Sequence, residues 1–276
     1  MIGLLLAVSS SVFGEVSDII GKSSIQKHRA SVYTVGFLTL IFGIIFFSIN
    51  ALLRGVFIFS PESLPTLTLR IILEIILSVI TITALGRANR STFGFVRTLT
   101  IPLLFVVDLI MGYSVGGFQM FGMFLISAVV LFVSLSKKVD KRGIGLLFFS
   151  ATLPVATISL YKYDINNFNS VEAEQIIVSF CLLIFFCGAA ILKAKENPFA
   201  YLKKPRFILQ ATMSGLASAV GGFAYAFLAP SVATTALRAG SVLSATLSGD
   251  FYFKEKHRLL KIAIATGIIG GLFFLV

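Results

Sequence analysis

The stretch Leu135-Ser-Lys-Lys-Val-Asp-Lys-Arg-Gly-Ile-Gly-Leu-Leu147 packs four basic residues into six positions, and the chain on either side of it is apolar for a full membrane thickness. A run of about 20 apolar residues rises about 1.5 Å per residue and crosses roughly 30 Å of hydrocarbon. The flanking runs, 117–136 and 143–162, meet that length. Working outward, the same pattern recurs at 2–21, 31–52, 66–86, 91–111, 174–192, 206–228, 231–251 and 259–275. Membrane-barrel strands alternate polar and apolar residues over about ten positions, and these runs do not. The reading is therefore an all-α membrane protein with ten transmembrane helices.

Composition agrees. Hydrophobic residues make up 57% of the 276 positions and charged residues only 13%, against about 25% charged in soluble domains. Mean hydropathy is +0.97. Too few polar side chains exist to cover a water-soluble surface of this size, and a bilayer removes that need. The longest hydrophilic gaps, 53–65, 137–142 and 193–205, are too short to fold alone. The N-terminal run lacks a positive leader and a cleavage pattern, so it reads as a retained helix.

The net charge of +11 has a topological meaning. Basic residues cluster in alternate gaps: Lys22, Lys27 and Arg29; Arg87 and Arg90; Lys137, Lys138, Lys141 and Arg142; Lys193, Lys195, Lys203, Lys204 and Arg206; Lys254, Lys256, Arg258 and Lys261. The opposite gaps hold Arg54, Arg70 and Lys162. Cytoplasmic loops carry the Lys/Arg excess, so the first set is expected in the cytoplasm and both termini outside a cell membrane. No basic stripe interleaved with aromatics exists on a soluble domain, which argues against nucleic acid as a partner.

The chain also reads as duplicated. Ile2-Gly3-Leu4-Leu5 opens the first half and Ile144-Gly145-Leu146-Leu147 the second. Arg97 and Arg238 fall at equivalent places, followed by Asp108 and Asp250. The expected units are 1–138 and 143–276, each of five helices. Five is odd, so the units would enter the membrane from opposite sides, as in transporters with inverted repeats.

The most specific stretch is Ser231-Val-Ala-Thr-Thr-Ala-Leu-Arg-Ala-Gly-Ser-Val-Leu-Ser-Ala-Thr-Leu-Ser-Gly-Asp-Phe-Tyr-Phe-Lys-Glu-Lys256, followed by an apolar helix with Gly267, Gly270 and Gly271. It resembles the ninth and tenth helices of EamA-type members of the drug/metabolite transporter superfamily, where a small-residue helix ends in an aromatic-Lys-Glu turn. The span Ser91–Gly112 with Pro102, then Gln119-Met-Phe-Gly122, is similar to the matching part of the first half, and Gly3–Lys22 to the first helix. The chain departs from the family's usual pattern in having no tryptophan and no Glu at Met111-Gly112-Tyr113-Ser114. The resemblance implies two inverted five-helix repeats and alternating access to a central cavity for a small metabolite or drug-like solute.

Several residues could carry that chemistry. Glu15 and Asp18 share a helix face; charges inside a membrane helix survive when paired, protonated or facing an aqueous cavity. They are candidates for binding a proton or cation, with an ion pair to Arg97 or Arg238, or placement at a solvated helix end near Lys22, as the structural alternatives. Arg97 and Arg238 offer rigid donor forks for a carboxylate or phosphate. Tyr161 and Tyr225 are candidate cavity residues, with an interfacial belt as the alternative. Arg70 and Glu74 read as a surface ion pair, Asp108 and Asp250 as solvated helix ends, and the Gly215, Ser218, Gly221, Gly222 face as a close-packing surface. Pro154, beside Thr152 and Thr157, breaks its helix where a binding site could border it. Cys181 and Cys187 face different sides of one helix and cannot pair within it.

No histidine lies in a span, and no Gly-x-Ser-x-Gly elbow or metal-ligand spacing occurs. The expectation is a transporter with no cofactor and no catalytic residues, whose partners are a small-molecule substrate, the lipid bilayer and exchangeable protons. An integral membrane enzyme, or an accessory membrane protein without transport activity, is the alternative.

Overall fold

The computed structural model describes residues 1–87, 99–135, 144–253 and 258–275. Among these residues the structure is helical and contains no strand. The helices are α1 (Ile2–Gln26), α2 (Val32–Arg54), α3 (Leu64–Arg87), α4 (Thr100–Ile110), α5 (Gly117–Leu135), α6 (Ile144–Asn167), α7 (Val171–Leu192), α8 (Pro205–Phe227), α9 (Pro230–Phe253) and α10 (Arg258–Phe274), with short turns at Pro61–Ser63 and Pro198–Tyr201.

Local chemistry sets the helix ends. Ser31 and Ser170 cap α2 and α7, each accepting the backbone N–H three residues on; a hydroxyl there satisfies a donor the helix cannot. Gly55 closes α2 at φ 64°, a left-handed conformation that glycine adopts without strain. Proline opens α8 and α9, where its missing N–H costs nothing.

Five segments, Ile2–Gln26, Val32–Arg54, Pro61–Ala84, Val171–Leu192 and Pro205–Phe227, are long and apolar enough to cross a membrane. Their outward faces are apolar too: Ile72, Ile76, Phe180 and Ile184 are exposed, Ile184 at 59%. A bilayer solvates such faces and water does not. The described helices thus have the length, composition and surface of a multi-pass membrane protein.

Two apolar clusters hold the bundle together. One joins Leu4, Ile101, Ile126, Ala236 and Ile268 from α1, α4, α5, α9 and α10. The other joins Phe37, Leu67, Phe186, Phe207 and Ala211 from α2, α3, α7 and α8. Between helices the packing is close where glycine removes a side chain. A Cβ on Gly215 would stand 2.7 Å from the Phe42 backbone, and one on Gly122 would stand 2.7 Å from the Gly271 carbonyl. The small-residue face of α8 therefore does what its sequence suggests, letting α2 and α8 approach at Gly43 and Gly215.

The loops collect at two ends. The 27–31 and 193–204 stretches meet where Ser31 and Thr34 hold the Glu196 carboxylate, Ser31 through both its N–H and its hydroxyl. At the opposite end Ile58 and Ser170 bond reciprocally and Gly3 lies against Leu228. There Gln119 also donates to the Leu275 carbonyl. The described basic loops thus lie at one end and both termini at the other.

Three sequence expectations need correction. Arg70 is not a surface residue: it is buried, and its ion pair runs to Glu174 at 2.7 Å and not to Glu74 on its own helix. Asp108 is not a solvated helix end: it is fully buried and accepts the Ser231 backbone N–H at 2.8 Å. It thereby satisfies an orphan donor in the first turn of α9. Lys162 is not a loop charge: it lies inside α6, buried, with its ammonium on the Tyr225 carbonyl at 2.7 Å. Each charge found a partner from a helix distant in sequence, and buried charge is tolerated only with such partners.

Candidate functional site in the polar core beneath the termini

Polar side chains concentrate where the end of α6, the start of α7 and the start of α3 meet. The segment Lys162-Tyr-Asp-Ile-Asn-Asn-Phe-Asn-Ser-Val-Glu-Ala-Glu-Gln175 supplies most of them. It continues α6 to Asn167, turns, and restarts as α7 at Val171. The reversal folds Asp164 back beside Glu174.

Arg70 is the positive centre. Its guanidinium donates to Glu174 Oε1 at 2.7 Å and lies 4.4 Å from the Tyr161 ring centroid. An arginine held between a carboxylate and an aromatic face is fixed in both charge and plane. Asn169 donates to Glu174 Oε2 at 2.7 Å, so both oxygens of that carboxylate are engaged. Asn169 also ties the turn at Ser60 and Ser63 to α7. Asp164, fully buried, accepts the Thr66 hydroxyl on one oxygen at 2.6 Å. Glu74, one turn deeper on α3, faces Thr157 and feels Arg70. Nearer the surface, Glu172 is held by Asn50 at 2.7 Å and by the exposed Arg54 at 3.4 Å.

Across α6 from this cluster an open cavity of about 310 Å³ is lined by Tyr113, Ser114, Gln119, Lys162 and Asn166 together with Phe227, Leu228, Ala229 and Val232. Asn166 donates to the Tyr113 hydroxyl at 3.2 Å. Burial raises the Tyr113 phenol above its ordinary value, which the Asn166 bond partly opposes, so Tyr113 stays neutral and can donate. Lys162 brings a cation whose other neighbours are the Tyr113 ring, 5.8 Å away, and the buried Asp108. The lining combines a cation and hydrogen-bonding side chains with a few apolar ones, a combination suited to a small solute with an anionic or hydrogen-bonding group.

The sequence candidates distribute unevenly around this region. Tyr161 is buried and donates to the Gly222 carbonyl at 2.9 Å; Tyr225 meets the Thr234 hydroxyl at 3.1 Å, and the two rings touch edge to face. Tyr161 is enclosed and Tyr225 half-buried, neither lines the cavity, and they tie α6 to α8 and α9. Glu15 is buried on α1 and Asp18 half-buried. Both, and half-buried Arg238, are engaged by interaction partners. Arg97 lies outside the described residues, as do the side chains of Asp250 and Tyr252, the 137–142 stretch and the Lys254-Glu-Lys256 turn. Pro154 does not break its helix, which runs on to Asn167; nearby, the Ala151 carbonyl accepts the Thr100 hydroxyl of α4 at 2.7 Å.

Asp164, Asn169 and Glu174 were not singled out by sequence reasoning. The signal was present: in a chain with 23 basic and 12 acidic residues, three of the acids, Asp164, Glu172 and Glu174, fall within eleven positions. No family model matches the chain, and no curated protein matches it.

Proposed function

We propose that this protein is a membrane transporter that moves a small metabolite or drug-like solute by alternating access between two inverted five-helix halves. The observation that carries the reading is the pairing of the helices. α1 packs antiparallel on α8, with Gly3 near Leu228 and Gly21 near Gln210. α3 packs antiparallel on α6, with Thr66 at Asp164 and Arg70 at Tyr161. Exchanging each helix for the one five places away turns the first couple into the second. The same exchange turns α2 on α8 into α7 on α3 and α1 on α9 into α6 on α4, and all four packings are present. It also leaves the contacts of α2 with α7, α4 with α9, and α5 with α10 unchanged. Even the caps match, Ser31 for α2 and Ser170 for α7. A two-fold of this kind supports alternating access, because either half can tip against the other at similar cost.

The cavity supports the transport half of the reading. Its lining takes Tyr113, Ser114 and Gln119 from the first half and Lys162, Asn166 and Val232 from the second, so relative motion of the halves opens or closes it. With the basic loops in the cytoplasm, it faces outward. Glu15 and Asp18 on α1, with Arg238 on α9, are the charged residues expected to face the solute or its coupling ion from the opposite end.

A panel of metabolites screened by thermal stabilisation of purified protein identifies the ligand, since a ligand bound only by the folded state raises its apparent stability. That ligand should then accumulate in proteoliposomes. Lys162→Met should weaken its binding about 10- to 150-fold, as expected for losing one charge-assisted hydrogen bond of about 1.5–3 kcal/mol. Vesicles that take up no stabilising ligand beyond the protein-free control would exclude transport.

A further inference from the structure

The Arg70 cluster holds more carboxyl groups than positive charge. Arg70 is the one described cation inside it, while Glu174, Asp164 and Glu74 all approach that guanidinium. Burying an uncompensated carboxylate costs several kcal/mol, so the excess must be neutralised.

The hydrogen bonds show where. Glu174 has a donor on each oxygen, Arg70 on one and Asn169 on the other. That is the environment of an ionised carboxylate. Asp164 has a donor, Thr66, on one oxygen only; its other oxygen is buried with no donor, although the residue is wholly enclosed. Asp164 nevertheless stands within hydrogen-bonding reach of Glu174. Two ionised carboxylates are acceptors only and cannot bond each other. A proton on the free oxygen of Asp164 turns that repulsive contact into a donor–acceptor bond and removes the unpaired acceptor.

We propose that Asp164 and Glu174 form an acid pair that holds one exchangeable proton beneath the end of the bundle carrying the termini, with the proton on Asp164 and the charge on Glu174. Binding takes one proton from solution onto a carboxylate oxygen, and release returns it. The surroundings are asymmetric. From α3 the pair faces Arg70, Glu74 and Thr66, from the turn before it Ser63, and from the α6–α7 connection Asn169. Tyr161 and Gln175 bond behind Arg70. Lys162, on the same helix as Asp164, is committed to the Tyr225 carbonyl and to Asp108 and leaves the pair uncompensated. Release of the proton places two adjacent negative charges against one guanidinium, which drives α6 away from α7 and α3. Lys162 and Asn166, which line the cavity, stand two residues to either side of Asp164 and so on the other face of α6 from the pair; movement of α6 is what carries proton occupancy to the cavity mouth. This coupling rests on the transport reading; the proton site itself does not.

Infrared difference spectroscopy of the purified protein tests the site without any transport assay. The folded protein should show the carbonyl stretch of a protonated carboxylic acid. One component of that band should disappear on alkaline titration and be lost in Asp164→Asn. It should persist in Glu74→Gln, and Thr66→Val should shift its frequency because the Thr66 hydroxyl bonds the same carboxyl. A band unchanged by both Asp164→Asn and Thr66→Val would overturn the proposal, as would folded wild-type protein with no such band. Loss of the band on adding sodium at fixed pH, with stabilisation that Asp164→Asn abolishes, would make this a cation site and equally overturn it. Vesicles without flux but with the band would leave the proton site standing and sink only its coupling to transport.

Discussion

Arg70 and Arg54 show how burial, not charge, decides what an arginine is worth here. Both pair with a glutamate near the start of α7, but Arg70 is 4% exposed and Arg54 58%. Arg70→Met leaves Glu174 buried without its counter-charge, which costs about 3–5 kcal/mol. Arg54→Met removes a solvent-screened pair at 3.4 Å, and Asn50 still holds Glu172, so the cost is below about 1 kcal/mol. Thermal unfolding in detergent should therefore separate the two variants widely; equal melting temperatures would mean the buried pair does not hold the α3–α7 contact. At this scale the sequence was only partly legible. Glu15 and Asp18 are conspicuous because they interrupt an apolar run. Asp164 and Glu174 are not, because each sits at a helix end where solvated acids are common. What makes the pair chemically active is its enclosure by α3, and spacing along the chain does not encode that.

Among the elements, helix contacts are set by where side chains are missing. α2 and α8 run side by side, with Ser214 donating to the Thr39 carbonyl at 3.0 Å and Gly215 against the Phe42 backbone. Backbone cannot swing aside as a side chain can, so Gly215→Leu should destabilise by about 1–3 kcal/mol or prevent folding. Gly188, with open space around it, should accept alanine without loss in the same melting assay. Most described helices were legible to within a few residues, but the run read at 91–111 is a helix only over Thr100–Ile110 among the described residues. The run read at 143–162 continues to Asn167, and the run read from 174 begins at Val171. Both shifts come from polar residues, Asp164, Asn166, Glu172 and Glu174, that an apolar reading excludes but whose backbone remains helical. Ser170 marks the true start of α7 by capping it.

For the whole molecule, the separation of basic loops from termini predicts an orientation. Lys195→Cys should be silent to a membrane-impermeant thiol reagent in intact cells, and Phe57→Cys, at the opposite end, should react, in a background lacking Cys181 and Cys187. A reporter fused after Val276 should be active only if it works outside the cytoplasm. The reverse labelling would turn the protein over and make the cavity a cytoplasmic one, leaving its lining unchanged. The same arrangement explains why a chain with a net charge of +11 buries acids near its termini. The described loop cations sit largely at one end, so at the other end Arg70 and Lys162 serve several carboxylates from within the bundle.

By itself the sequence determined the solvent, the secondary structure and most helix limits, because hydrophobic transfer and backbone satisfaction are properties of single segments. It also indicated the basic end of the described bundle and raised the expectation of a duplication, since both rest on patterns that recur along the chain. The partners of the buried charges were decided only by the tertiary structure. Arg70 chose Glu174 over Glu74, Lys162 went to the Tyr225 carbonyl and Asp108 to the α9 N-terminus. A charge in low dielectric takes the nearest group that satisfies it, and which group is nearest depends on how helices far apart in sequence pack together.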